Sequence, residues 1–150
     1  MLDAKNELPD LLESVCSKIA DALGVEAVIL TLYDPVEETF SVAHLFGPID
    51  AEKIREVRYP QTTHKLILAD NRSFFLIPDI LAAVLEHPYY AFLADQNVQS
   101  LVSVCMVEDA RIIGTLDLAV IGRRREFSEK ELVWLVAFSN QAAKAIDSAL

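Results

Sequence analysis

Asp117 lies between Leu116 and Leu118 in the run IIGTLDLAVI, where its neighbours are apolar or small. A carboxylate in such a strand needs a partner, because burying an unpaired charge is costly enough to force its protonation. It can serve as a hydrogen-bond acceptor on a pocket floor, or it can sit at an edge or beside an arginine. Alternation along the strand puts Thr115 and Ile113 on its face. A four-residue turn formed by Glu108, Asp109, Ala110 and Arg111 would carry Val104 and Met106 to that face as well. Tyr89, Tyr90 and Phe92 are closely spaced rings that can close over a ligand or simply pack as core.

Other chemistry is thinly supplied. Cys16 and Cys105 each sit in an apolar segment without CxxC or Cys/His spacing, so neither a disulfide framework nor a zinc site is expected. His44, His64 and His87 are scattered over different segments, and a haem would look first to His87. Arg123, Arg124 and Arg125 form the only basic run, of a length that usually just solvates a loop. There is no nucleophile elbow, glycine-rich phosphate loop, HExxH or usefully spaced carboxylate pair. A binding domain without metal is expected, not an enzyme.

The chain has 150 residues, enough for one self-sufficient core, and is read as a single domain over residues 1–150. Its 23 acidic residues outnumber 13 basic ones, and the net charge of -10 would repel phosphate backbones and anionic lipid. Neither nucleic acid nor a membrane is an expected partner. The start MLDAKNELPD is acidic and polar where a signal peptide needs a basic and then an apolar stretch. The longest apolar runs are about half the ~20 residues of a membrane helix. A cytoplasmic location is expected.

The elements that must position these residues follow from periodicity. Leu8, Leu12, Val15, Ile19 and Leu23 recur at helical spacing, with Pro9 in the first turn and Gly24 as the stop. AVILTLYD and FSVAHLF flank the turn DPVEE as a hairpin. Short helices are expected in AEKIREV and TTHKLILAD, and FFLIP reads as a strand. Asp79 caps a helix through LAAVLEH, which Pro88 restarts as PYYAFLAD. QSLVSVCMV and RIIGTLDLAV form a second, central hairpin. Ser128 and Glu131 form a capping box that opens the last helix. This order implies an α/β (α+β) fold, an antiparallel sheet with helices on both faces.

IIGTLDL followed by RREFSEKELVWLVAFSNQAAKAIDSAL resembles the closing strand, F-S-x-x-E cap and alanine-rich helix of the GAF family. LLESVCSKIADALGVEAVILTLYD is similar to the family's first helix and strand, and IPDI with HPYY to its segment before the lid. The resemblance covers nearly the whole chain. It implies terminal helices on one sheet face, a helical lid and pocket on the other, and a regulatory sensor of a small, unidentified molecule in a bacterial-type signalling protein. An output domain such as a kinase, cyclase or transcription regulator would be the partner. It also implies that Ile29, Thr31, Tyr33 and Phe46 join Asp117, Thr115 and Tyr90 around the pocket, with Asp117 at the acidic position of nucleotide-binding relatives. The lid region holds no cysteine for covalent bilin, and no N-K-x-x-F-x-x-x-D-E pattern supports a cyclic nucleotide. The alternatives are an enzyme like the free methionine-(R)-sulfoxide reductases, which would need Cys105, and a ligand-free dimerisation module.

The last helix has two apolar stripes. Leu132, Leu135, Val136, Ala143, Ile146 and Leu150 suit packing on the sheet. Trp134, Phe138, Ala142, Ala145 and Ala149 form the other, about 120° around the axis. One sheet cannot easily cover both, so a homodimer through the second stripe is expected.

Overall fold

The computed structural model describes residues 4–61 and 73–150, with side chains from Glu7 onward. The helix expected in TTHKLILAD, and His64 with it, lie outside the described residues.

Helix α1 spans Ala4–Leu23, so Pro9 falls beyond its first turn. Gly24 ends it at φ +66°, a left-handed conformation that costs glycine little, and its N–H reaches the Ala20 carbonyl at 2.8 Å. Strands β1 (Ala27–Asp34) and β2 (Thr39–Phe46) form the first hairpin. The turn closes where Asp34 accepts from the Val36 and Glu37 amides at 2.9 and 3.2 Å. Helix α2 (Ala51–Glu56) is capped by Asp50, and β3 runs over Phe74–Ile77. The helix expected after Asp79 is only a 3₁₀ turn, Ile80–Ala83, before α3 (Pro88–Asp95). Pro88 opens that helix as expected, and His87 caps it: its Nδ1 accepts from the Tyr89 amide at 3.0 Å. Strands β4 (Val98–Glu108) and β5 (Arg111–Ile121) precede α4 (Glu129–Ala149), which opens on the complete Ser128/Glu131 capping box.

The sheet order is β2-β1-β5-β4-β3, antiparallel throughout, with the second hairpin inside. On one face α1 and α4 bury Ile19, Leu30, Val104, Leu118, Leu135 and Ile146. On the other, α2, the 3₁₀ turn and α3 cover Ile29, Leu101 and Ala119 with Ile54, Ile80 and Leu93. No helix among the described residues is long and apolar enough to cross a membrane.

The turn expected over Glu108, Asp109, Ala110 and Arg111 joins β4 and β5, with two central residues. Glu108 pairs with Arg111, and Asp109 and Ala110 take φ of 50° and 60°. Both angles suit a type I′ turn, whose twist matches paired strands. Beyond it Val107 pairs with Ile112 but Met106 pairs with Gly114, leaving Ile113 as an inserted residue. That bulge reverses the facing of everything beyond it. Val104 and Met106 therefore lie on the terminal-helix face, and Ser103 and Cys105 pair with Asp117 and Thr115 instead.

Ser139 is fully buried in α4, and among the described residues its hydroxyl has no hydrogen-bond partner. An orphaned buried hydroxyl costs about 1 kcal/mol or more. Ser139→Ala is accordingly expected to raise stability by about 1 kcal/mol, read as a higher urea midpoint at unchanged slope. A lower midpoint would mean that the hydroxyl is satisfied in solution.

Candidate functional site

Asp117 is 1% exposed, at the centre of the sheet face under α3. Its Oδ1 accepts from Ser103 Oγ at 2.5 Å and from Tyr59 Oη at 3.0 Å. Its Oδ2 accepts from Tyr89 Oη at 2.7 Å and from the same Tyr59 hydroxyl at 2.9 Å. Ser103 comes from β4, Tyr89 from the first turn of α3, and Tyr59 from the chain just after α2. Among the described residues no arginine or lysine forms an ion pair with this carboxylate.

The hydroxyl protons can be assigned by accounting. A tyrosine hydroxyl has one proton, and Tyr59 spends its proton on the carboxylate, so at 2.9 Å it must accept from Thr115 Oγ1. Thr115 Oγ1 in turn accepts from Thr31 Oγ1 at 2.5 Å, and Thr31 is held by the Thr115 amide at 3.1 Å. The donors thus run in one direction from Thr31 through Thr115 and Tyr59 to Asp117. Burial pushes the Asp117 carboxyl up to about 6, against the pull of the hydroxyls of Ser103, Tyr89 and Tyr59. Burial, and then the Asp117 charge, raise both tyrosine hydroxyls well above their ordinary range.

Tyr59 is held over the carboxylate from outside as well. The Gln61 side-chain amide accepts from Phe40 N at 2.7 Å and donates to Phe40 O at 3.2 Å, satisfying both backbone groups of that β2 residue. It also donates to Tyr59 O at 2.8 Å. A line of rings follows: Tyr33 to Phe40 at 4.8 Å between centroids, Phe40 to Tyr59 at 6.0 Å, Tyr59 to Tyr89 at 4.9 Å and Tyr89 to Tyr90 at 5.8 Å.

Asp117, Thr115 and Thr31 therefore meet as a group, and Tyr33 joins them at one remove through Phe40. Tyr90 is buried on the same side but borders a groove of about 460 Å³ with Ile77, Pro78, Asp79, Glu86 and His87. Phe46 does not join. It pairs with Val28 and packs into the terminal-helix core, because β1 and β2 slip register between Leu30 and Thr31. Sequence reasoning passed over Tyr59 and Ser103 as site residues. Ser103 was hidden by the bulge, whereas Tyr59 lies beside Pro60 in an irregular stretch that carries no periodic signal.

Cys105 is buried near this group, and burial followed by the Asp117 charge pushes its thiol up to about 12. Cys16 is buried in the opposite core and its thiol is likewise pushed up to about 12. Neither environment favours the thiolate that sulfoxide reduction would need.

On α4, Leu135, Ala143 and Ile146 are fully buried, whereas Leu150, expected in that stripe, is exposed. Of the second stripe, Trp134 is 38% exposed and stacks on Phe138 at 5.0 Å between centroids. Ala145 and Ala149 line a groove with Leu11, Glu7 and Asp10 of α1. Ala142 departs from expectation: at 5% exposure it belongs to the protein's own core, beside α1.

A family model described as GAF domain matches residues 5–147. No curated protein matches the sequence. Among solved structures, a GAF domain/HD domain protein from Geobacter sulfurreducens is similar at 17% identity, with a TM-score of 0.80 over 95% of this chain and 94% of that one. The photoproduct state of GAF3 from Slr1393 of Synechocystis is similar at 13% identity and a TM-score of 0.78, over 95% of this chain and 94% of that one. A domain assigned to a two-component sensor histidine kinase protein of Sinorhizobium meliloti is similar at 15% identity and a TM-score of 0.74, over 95% and 92%. At such identities the likeness is one of fold.

Proposed function

This chain belongs to the GAF family, and from that premise we propose that it is the regulatory module of a signalling protein, with its pocket closed by its own tyrosines and its terminal helices as output. The observation that carries this reading is the roof over Asp117: Tyr59, Tyr89 and Ser103 meet the carboxylate on both oxygens. Side chains of the protein occupy the place where a ligand would approach the floor. What is left to transmit a change is the pair of helices on the other face. There Trp134, Phe138 and the exposed Val133 form a half-covered apolar patch on α4 that suits a second copy in two-fold contact.

A second reading, the small-molecule sensor, draws support from the missing counter-charge. A ligand offering N–H donors could displace Tyr59 and compensate the carboxylate better than a hydroxyl does.

Native mass spectrometry of the purified chain tests both. The expected result is a dimer without added mass, and a folded monomer for the Trp134→Glu, Phe138→Glu double variant. A monomeric wild type at micromolar concentration would overturn the dimer. A copurified small molecule that Asp117→Ala loses would favour the sensor over the closed module.

A further inference from the structure

The basic run ties together parts of the fold that lie far apart in sequence. Arg123 donates to the Gly24 carbonyl at 2.9 Å and to Glu26 at 3.2 Å, and Arg124 pairs with Asp79 at 2.9 Å. Arg125, whose side chain is only 18% exposed, donates to the Leu23 carbonyl and to the Glu131 carboxylate, with its guanidinium 4.5 Å above the Phe127 ring. Leu23 closes α1, where carbonyls lack intrahelical partners, and Glu131 is half of the α4 capping box. One side chain therefore binds the end of one terminal helix and the start of the other.

The same residue reaches the cover on the opposite face. The Arg125 amide donates to Ser100 Oγ at 3.0 Å, and Ser100 Oγ donates to the Pro78 carbonyl at 2.8 Å. Ser100 is 1% exposed, so water does not readily replace either bond. Pro78 is followed at once by Asp79, whose carboxylate accepts from Leu81 N at 3.2 Å to cap the 3₁₀ turn.

We propose that Ser100 and Arg125 form a strut coupling the entry of the cover, at Pro78 and Asp79, to the adjoining ends of α1 and α4. Both are positioning residues. If the cover shifts, the Ser100 bridge must break or carry the Arg125 backbone with it, and Arg125 then changes its hold on both helices. Such coupling is a relation between two ends of one contiguous network, and it acts in both directions. The proposal rests on the reading that the terminal helices are the output, but it is measured within one chain.

Amide hydrogen exchange resolved by NMR tests it on the full chain. Val25 and Leu132 report the helix ends, and Leu81 and Ala82 report the cover. Arg125→Gln is expected to accelerate exchange at the helix ends and, by about threefold, at the cover. In a Ser100→Ala background the same substitution should still move the helix ends but no longer the cover. Should Ser100→Ala fail to fold by circular dichroism, Ser100→Cys, a weaker hydrogen-bonding group of similar size, replaces it. A purely local role for Arg125 would move the helix-end amides alone. Cover amides that do not respond to Arg125→Gln, or that respond equally with and without Ser100, would overturn the strut. A monomeric wild type would sink the dimer reading and leave this coupling intact.

Discussion

Gly114→Ala is expected to leave little folded protein. A β-carbon at Gly114 would lie 1.9 Å from the Thr31 carbonyl oxygen, 2.9 Å from its carbon and 3.1 Å from Leu32 Cα. All three are backbone atoms of β1, so no side-chain rotation relieves the contact. Nor can β1 retreat easily, because Thr31 and Leu32 are paired with Val42 and Ser41 on one side and with Thr115 and Gly114 on the other. Moving either strand would stretch ladder hydrogen bonds worth about 1 kcal/mol each and pull Thr31 from Thr115, breaking the donor chain to Asp117. The loss should exceed about 4 kcal/mol, a large share of the 5–15 kcal/mol that holds a domain together. Urea unfolding followed by circular dichroism measures it. A variant within about 1 kcal/mol of wild type would show that the strands part at little cost, contrary to the close approach described.

The glycine also marks where sequence reasoning held and where it failed. Helices α1 and α4 were legible because their apolar residues keep one period over many turns and their ends carry local signals, Gly24 at one and Ser128 with Glu131 at the other. The strands were legible as β-branched and apolar runs flanking turn residues. Which residues share a face across β4 and β5 was not, because one inserted residue, Ile113, moves every later side chain to the other side, and no local pattern announces it. Ser103 thus faces Asp117 in place of Val104. The site itself was half legible. Asp117, Thr115 and Thr31 stood out as polar residues in apolar strands, a local contrast. Tyr59 reaches the site only through the path of the chain after α2 and the grip of Gln61 on Phe40, which are tertiary facts. The 3₁₀ turn after Asp79 shows the opposite error. Apolar residues there suit a helix, yet His87 and Pro88 begin a new one and leave too few residues for the first.

Asp117→Asn is expected to gain stability over the wild type by about 2.5 kcal/mol as pH rises from 4 to 7. Burial raises the folded-state carboxyl from its ordinary 3.8 to about 6. Between those values the folded protein binds a proton that the unfolded chain has released. Stability therefore falls with rising pH across this window, is greatest below it and stays at the lower level above it. A shift of about two pKa units at 1.36 kcal/mol each gives just under about 3 kcal/mol for the whole titration, and most of it falls between pH 4 and 7. Asparagine keeps the shape and does not titrate. Its oxygen can accept from Ser103 and Tyr59, and its NH₂ can donate to Tyr89, whose hydroxyl then turns to accept. Every other titrating group is common to both proteins and cancels in the difference between their stability curves. Urea unfolding of both chains at several pH values gives that difference, and parallel curves would mean that the folded state does not penalise the charge. If the gain is found, the native protein retains at neutral pH a carboxylate that weakens it while a neutral isostere is within reach. The charge would then serve the working state of the site, either by holding Tyr59 and Tyr89 closed or by meeting a donor that enters when Tyr59 leaves. Tyr59→Phe separates these: it removes one donor without opening the sheet, and a further rise of the Asp117 carboxyl above 6 in that variant, followed by NMR, is expected if the hydroxyl supports the charge.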